Sequence, residues 1–204
     1  MTDEEKWNID LIEILDEELK AEFPKVQIFK GKVLKDIFLN KNPNSREHKI
    51  QFGFVDQDIV FYDEEMDISK LNEVENILIH NNNINNKDKM VIPKLICELK
   101  YNGITSHGLI TYSDYASDIK SIFPECKYWL AMRYRKSSTE NKLNRHGKNF
   151  DKIIFFDTGK SEGTYAKGDF KKQLETQAEL KNRFSEFLSE IKETLREKET
   201  VFVK

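Results

Sequence analysis

The run from Val91 to Tyr101 reads as a buried strand, because the apolar residues Leu95-Ile96-Cys97 lead directly into Glu98-Leu99-Lys100. Strand side chains alternate between faces, so Glu98 and Lys100 point one way and Leu99 the other. A carboxylate and an ammonium are expensive to bury, so a fold that buries this strand needs a reason to keep the pair. The plain alternative is a salt bridge on an edge strand, which is worth little.

An amphipathic helix is expected from Asp3 to Phe23, where Trp7, Leu11, Ile14, Leu15 and Leu19 recur at helical spacing, Thr2 and Glu5 form a capping box and Pro24 ends the run. Val26 to Leu39 fits either a hairpin turning at Lys30-Gly31-Lys32 or a strand followed by a helical turn. After a polar loop, Ile50 to Tyr62 reads as a strand, or as two strands with a bulge, with Asp56 and Asp58 on one face. Asp63 to Lys89 is acidic and then asparagine-rich, a surface excursion with one short amphipathic segment around Leu71 to Ile79. Ser106 is the candidate cap of a helix carrying Tyr112, Tyr115, Ala116, Ile119, Ile122 and Phe123. Strands follow at Tyr128 to Tyr134 and Lys152 to Phe156, separated by a polar loop from Arg135 to Asn149. A glycine-bearing loop from Gly159 to Gly168 then leads into a long helix whose core face runs from Phe170 to Leu195. Helix, strands, helix, strand, strand, helix is an α/β order, with helices able to cover both faces of a central sheet.

The 204 residues suit one domain with one sizeable core, and a hydrophobic share of 38% with 14 Phe argues for a packed globule. No stretch reaches the roughly 18 to 20 apolar residues of a membrane span. The start Met1-Thr2-Asp3-Glu4-Glu5 lacks a signal peptide's basic and apolar regions, so a cytoplasmic protein with no membrane partner is expected. Cys97 and Cys126 lie in apolar segments without metal spacing and read as buried thiols. Net charge is only -3, yet Lys127 to Lys152 is basic: Arg133, Arg135, Lys136, Lys142, Arg145 and Lys148, with His146, face only Glu140 and Asp151. That segment is either a phosphate-contacting arm, with Tyr128, Trp129 and Tyr134 nearby, or a solvated loop.

Asp58, then Glu98-Leu99-Lys100 on the next major strand, then the Ser106 to Phe123 helix and the Tyr128 strand, resemble the PD-(D/E)XK nuclease superfamily. The resemblance covers about Asp3 to Tyr134. It implies a restriction-endonuclease-like core, a three-layer α/β/α arrangement around a central mixed sheet, with the strand and long helix of residues 152–198 added beyond it. The implied reaction is hydrolysis of phosphodiester bonds with Mg²⁺, for which Mn²⁺ would substitute. Asp58 and Glu98 would be the metal carboxylates, the Cys97 carbonyl could add a ligand, and Lys100 would orient the attacking water. Gln57 stands where the family has proline, so Asp56 competes with Asp58, which is preferred. The first helix often supplies another acid, and Glu18, beside the apolar stripe, is named for it. His107, just inside the following helix, could touch a phosphate but reads more simply as structural or exposed.

A type II restriction endonuclease would be a homodimer with one site for each DNA strand, reading base edges through the Arg135 to Asn149 loop or the Asn81 region. A repair or junction-resolving nuclease and an RNA endonuclease fit the same residues. A different class of alternative is a nuclease-fold module without catalysis that binds nucleic acid or a protein partner.

Overall fold

The computed structural model describes residues 1–41, 48–67, 77–80, 89–136, 138–157 and 165–199. The asparagine-rich segment around Asn81 and most of the Gly159 to Gly168 loop lie outside them, as does the Leu71 to Ile79 segment except for its last residues.

The first helix, α1 (Asp3–Leu19), carries the expected capping box: Thr2 Oγ1 accepts from the Glu5 N–H, and Glu5 Oε2 accepts from the Thr2 N–H. It stops short of Phe23, whose N–H turns back to the Leu19 carbonyl while its ring joins the core. The ambiguous segment becomes one long strand, β1 (Gln27–Lys41), followed by β2 (His48–Asp67), β3 (Ile77–His80) and β4 (Lys89–Lys100). Then come α2 (Ser106–Ile122), β5 (Lys127–Met132), α3 (Glu140–His146), β6 (Lys152–Phe155), α4 (Asp169–Thr176) and α5 (Ala178–Glu199). Thr105 rather than Ser106 caps α2, its hydroxyl accepting from the Gly108 N–H. The polar loop contains a short helix, α3, capped by Thr139. The long C-terminal helix is broken at Gln177, whose extended backbone separates α4 from α5.

The sheet runs β1-β2-β4-β5-β6, with β3 parallel to the outer end of β2. β1, β2 and β4 are antiparallel, whereas β4, β5 and β6 are parallel, so the sheet is mixed. Parallel neighbours need a crossover, which α2 provides between β4 and β5. One face carries α1, α4 and α5, whose Trp7, Leu11, Phe170, Phe184 and Phe187 pack on Ile59, Cys97, Leu99, Trp129 and Phe156. The other carries α2 and α3, with Leu109, Ala116, Ile119 and Leu143 against Val60, Ile96, Tyr128 and Leu130. This is a three-layer α/β/α fold. The C-terminal third extends the sheet and closes one face of the same core.

Candidate active site

β4 has the parity that its sequence dictates. Leu95, Cys97, Leu99 and Tyr101 enter the aromatic core beneath α1, while Ile96 packs on the α2 side. Glu98 follows that second parity and is only 3% exposed. Lys100 Nζ donates to Glu98 Oε1 at 2.8 Å and to the Leu99 carbonyl at 2.6 Å. It also lies 3.3 Å from Glu4 Oε1, 3.9 Å from Asp58 Oδ2 and 4.5 Å from the centre of the Tyr112 ring. The charged pair is therefore internal, and the edge-strand salt bridge is excluded.

Asp58 reaches this cluster through a β-bulge. In the β1–β2 ladder Phe29 faces Val60 and Gly31 faces Gln57, so Lys30 alone stands opposite both Asp58 and Ile59. The buried Asn8 of α1 donates from Nδ2 to the Asp58 carbonyl at 2.9 Å, and the Leu99 N–H donates to Asp58 Oδ2 at 2.9 Å. The extra residue also reverses the side-chain alternation, so Asp56 and Asp58 do not share a face as simple parity predicts. Asp56 is exposed opposite Lys32, whereas Asp58 is the one of the two that joins the cluster.

Two assignments change. Glu4, not Glu18, is the acid that α1 brings to the cluster: its Oε2 accepts the Tyr101 N–H at 3.0 Å while Oε1 faces Lys100. Glu18 lies about 21 Å further along the helix axis, exposed beside a groove of about 290 Å³ that also contacts Leu174 and Phe184. The main-chain oxygen among these groups is that of Leu99, whereas Cys97 stands in the ladder opposite Ile59 with its thiol in the core. Helical spacing held the signal for Glu4, because it precedes Trp7 by three residues and Leu11 by seven and so shares their inward face. Asn8 follows Glu4 by four.

Burial pushes the Glu98 carboxyl up to about 7, with Lys100 opposing the rise and Asp58 adding to it. Burial also disfavours the Lys100 ammonium, but Glu98, Glu4 and Asp58 outweigh it and hold the lysine above its ordinary value. Tyr112, which covers the ammonium, is raised chiefly by its own burial. Among the described residues no group of three or more His, Cys, Asp or Glu side chains is placed to hold a metal ion. Two carboxylates and the Leu99 carbonyl nevertheless form an all-oxygen donor set around one lysine, with a third carboxylate behind it. Hard oxygens in this number, with excess negative charge, fit Mg²⁺, which keeps waters for its remaining positions.

The basic segment divides. Arg133 is 1% exposed, donates to Gln173 Oε1 at 2.7 Å and lies 4.4 Å from the Tyr134 ring, so it is not available to a nucleic acid. Arg135 is held by the Ser138 carbonyl, Glu140 and the Phe155 ring, and Lys142 donates to the Ile104 carbonyl. Lys136, Arg145 and Lys148 are exposed. His107 is exposed on the first turn of α2, outside the cluster's contacts.

No protein-family profile matches the chain, and no curated protein matches it. Among solved structures it is similar to a chain of the native BbvCI A2B2 tetramer, at a TM-score of 0.48 and 16% identity, covering 81% of this chain. The match spans 60% of that other chain.

Proposed function

We propose that this chain is a metal-dependent endonuclease, one catalytic domain that hydrolyses phosphodiester bonds in DNA with Mg²⁺. The observation that carries the reading is the convergence of Asp58, Glu98 and the Leu99 carbonyl on Lys100, in a strand whose other face is plain core. Asp58, Glu98 and the Leu99 oxygen would hold the ion, which when bound polarises a phosphate and lowers the pKa of water. Lys100 keeps its proton, orients the attacking water and offsets negative charge gathering on the phosphate. Glu4 and the Tyr112 ring keep the ammonium in place, and Asn8 holds the bulge that aims Asp58. Hydrolysis adds water oxygen to phosphorus, breaks one ester bond and returns a proton to the leaving alcohol.

Within the basic segment Lys136, Arg145 and Lys148 are exposed to contact a nucleic-acid backbone, and a homodimer would present one site to each strand. The test is cleavage of supercoiled plasmid and of a long RNA with Mg²⁺, Mn²⁺ or chelator, by the wild type, Glu98→Ala and Lys100→Ala. Metal-dependent nicking by the wild type alone supports the reading. Equal cleavage by all three removes the site assignment, and binding without cleavage makes the protein a nucleic-acid-binding module. Preference for RNA would change the substrate and keep the chemistry.

A further inference from the structure

Lys30 is the residue beside the cluster that the nuclease chemistry leaves without a task. It occupies β1, an edge strand of the sheet, at the point where one residue faces two across the bulge. Its Nζ lies 3.5 Å from Asp58 Oδ1, and its side chain is 47% exposed. The two oxygens of Asp58 are thus divided. Oδ2 faces inward to the Leu99 N–H and Lys100, while Oδ1 faces Lys30. Lys100, 13% exposed, is held by three carboxylates and a carbonyl oxygen, whereas Lys30 forms its ion pair with Asp58.

The strand beside Lys30 is closely packed. The Phe29 ring lies so close that a Cβ on Gly31 would stand 2.4 Å from its Cε2, and that ring packs edge-on against Tyr62 at 5.2 Å. A longer residue in place of Gly31 would displace the ring and re-aim its neighbour. Lys30 is therefore a half-exposed ammonium on a long stem, at the open margin of the site.

We propose that Lys30 is a second phosphate-contacting lysine, which balances Asp58 in the free protein and moves to a non-bridging phosphate oxygen when Asp58 turns to a cation. The inference rests on the nuclease reading above. A cation at Asp58 Oδ1 repels an ammonium a few ångströms away, and the nearest new anion is the bound phosphodiester. Lysine suits this shift because its charge rides on a long, rotatable stem. A lysine serving only as counter-charge would behave differently: its loss would favour the cation and leave cleavage intact or faster.

The test compares the wild type, Lys30→Met and Lys30→Arg in two measurements: plasmid nicking with Mg²⁺, and Mn²⁺ binding without DNA. Lys30→Met should nick roughly 100-fold more slowly, the lower end of the scale of losing one donor to developing charge. It should also bind Mn²⁺ roughly 10- to 30-fold more tightly, the effect of removing one positive charge about 4–5 Å from a divalent ion in a watery setting. Lys30→Arg should keep most of the rate. The exposed pair contributes little to stability, so an unchanged melting temperature is expected. Nicking by Lys30→Met at the wild-type rate or above overturns the phosphate contact and leaves the nuclease reading standing. Unchanged Mn²⁺ affinity overturns the sharing of Asp58. A wild type that cleaves neither DNA nor RNA removes the reading itself, and the inference with it.

Discussion

The two faces of β4 do opposite things with adjacent residues. Cys97, Leu99 and Tyr101 sit among Trp7, Trp129, Phe156 and Tyr165, where free energy comes from burial and aromatic edge contacts such as Trp7 with Phe156 at 5.7 Å. Glu98 and Lys100, one residue out of step, hold charge at nearly the same depth, and the buried carboxyl is driven up to about 7. One face gains stability by excluding polar groups, and the other gives up stability to keep them. A site built on the same rigid strand as the core inherits its precision.

The contrast between the faces breaks most sharply under substitution on the charged one. Glu98→Ala, Lys100→Met and Asp58→Asn should each lower plasmid nicking about 10³-fold or more, since each removes a ligand or the group that stabilises the transition state. Lys100→Met leaves three carboxylates together without their cation and should also lower the unfolding midpoint in urea, whereas Glu98→Ala and Asp58→Asn each remove one of the crowded acids and should change it little. Leu99→Ala reverses the pattern: it empties a fully buried position and should cost about 2–5 kcal/mol in urea unfolding.

Acidity sharpens the contrast. A carboxyl that titrates near 7 in the folded protein, against an ordinary 4.5, binds its proton more tightly when folded. Its contribution to stability is therefore greatest at low pH and falls as pH rises from the unfolded value to the folded one. The stability of the wild type relative to Glu98→Gln should drop by up to about 1.4 kcal/mol per pH unit across that window. Urea unfolding from pH 4 to 8 checks it, and a flat difference would mean that Glu98 is not desolvated as the structure places it.

The smallest effect separates exposed from buried cations. Arg145→Gln with Lys148→Gln should weaken DNA binding and flatten its dependence on log salt by about 0.9 for each phosphate that the variant no longer neutralises. Arg133→Met should leave that slope unchanged, because its guanidinium is engaged by Gln173 and Tyr134.

Much of the fold is legible in the chain, because periodicity reports which face a residue occupies. The β4 parity, the capping box of α1, the α2 crossover and the apolar stripe of the C-terminal helices all follow from spacing. Spacing allows a bulge within Ile50 to Tyr62 but does not place it. The extra residue at Asp58-Ile59 cancels the shared face of Asp56 and Asp58, and it sets Lys30 beside the site. For the α1 acid, spacing marks the inward face but not which end of the helix meets the site. Glu4 and Glu18 both adjoin the apolar stripe, and only the docking of Trp7 against Tyr101, 6.2 Å between rings, shows which end meets β4. Arg133 reads as a surface cation because charge is usually solvated, yet two aromatic rings and Gln173 enclose it.

Crystals soaked in Mn²⁺ and measured at the manganese absorption edge test the central claim most directly. The account predicts an anomalous peak about 2 Å from carboxylate oxygens of both Asp58 and Glu98 and from the Leu99 carbonyl, with Lys100 still beside it. A protein that cleaves plasmid but shows its manganese elsewhere, or bound without Glu98, would contradict it.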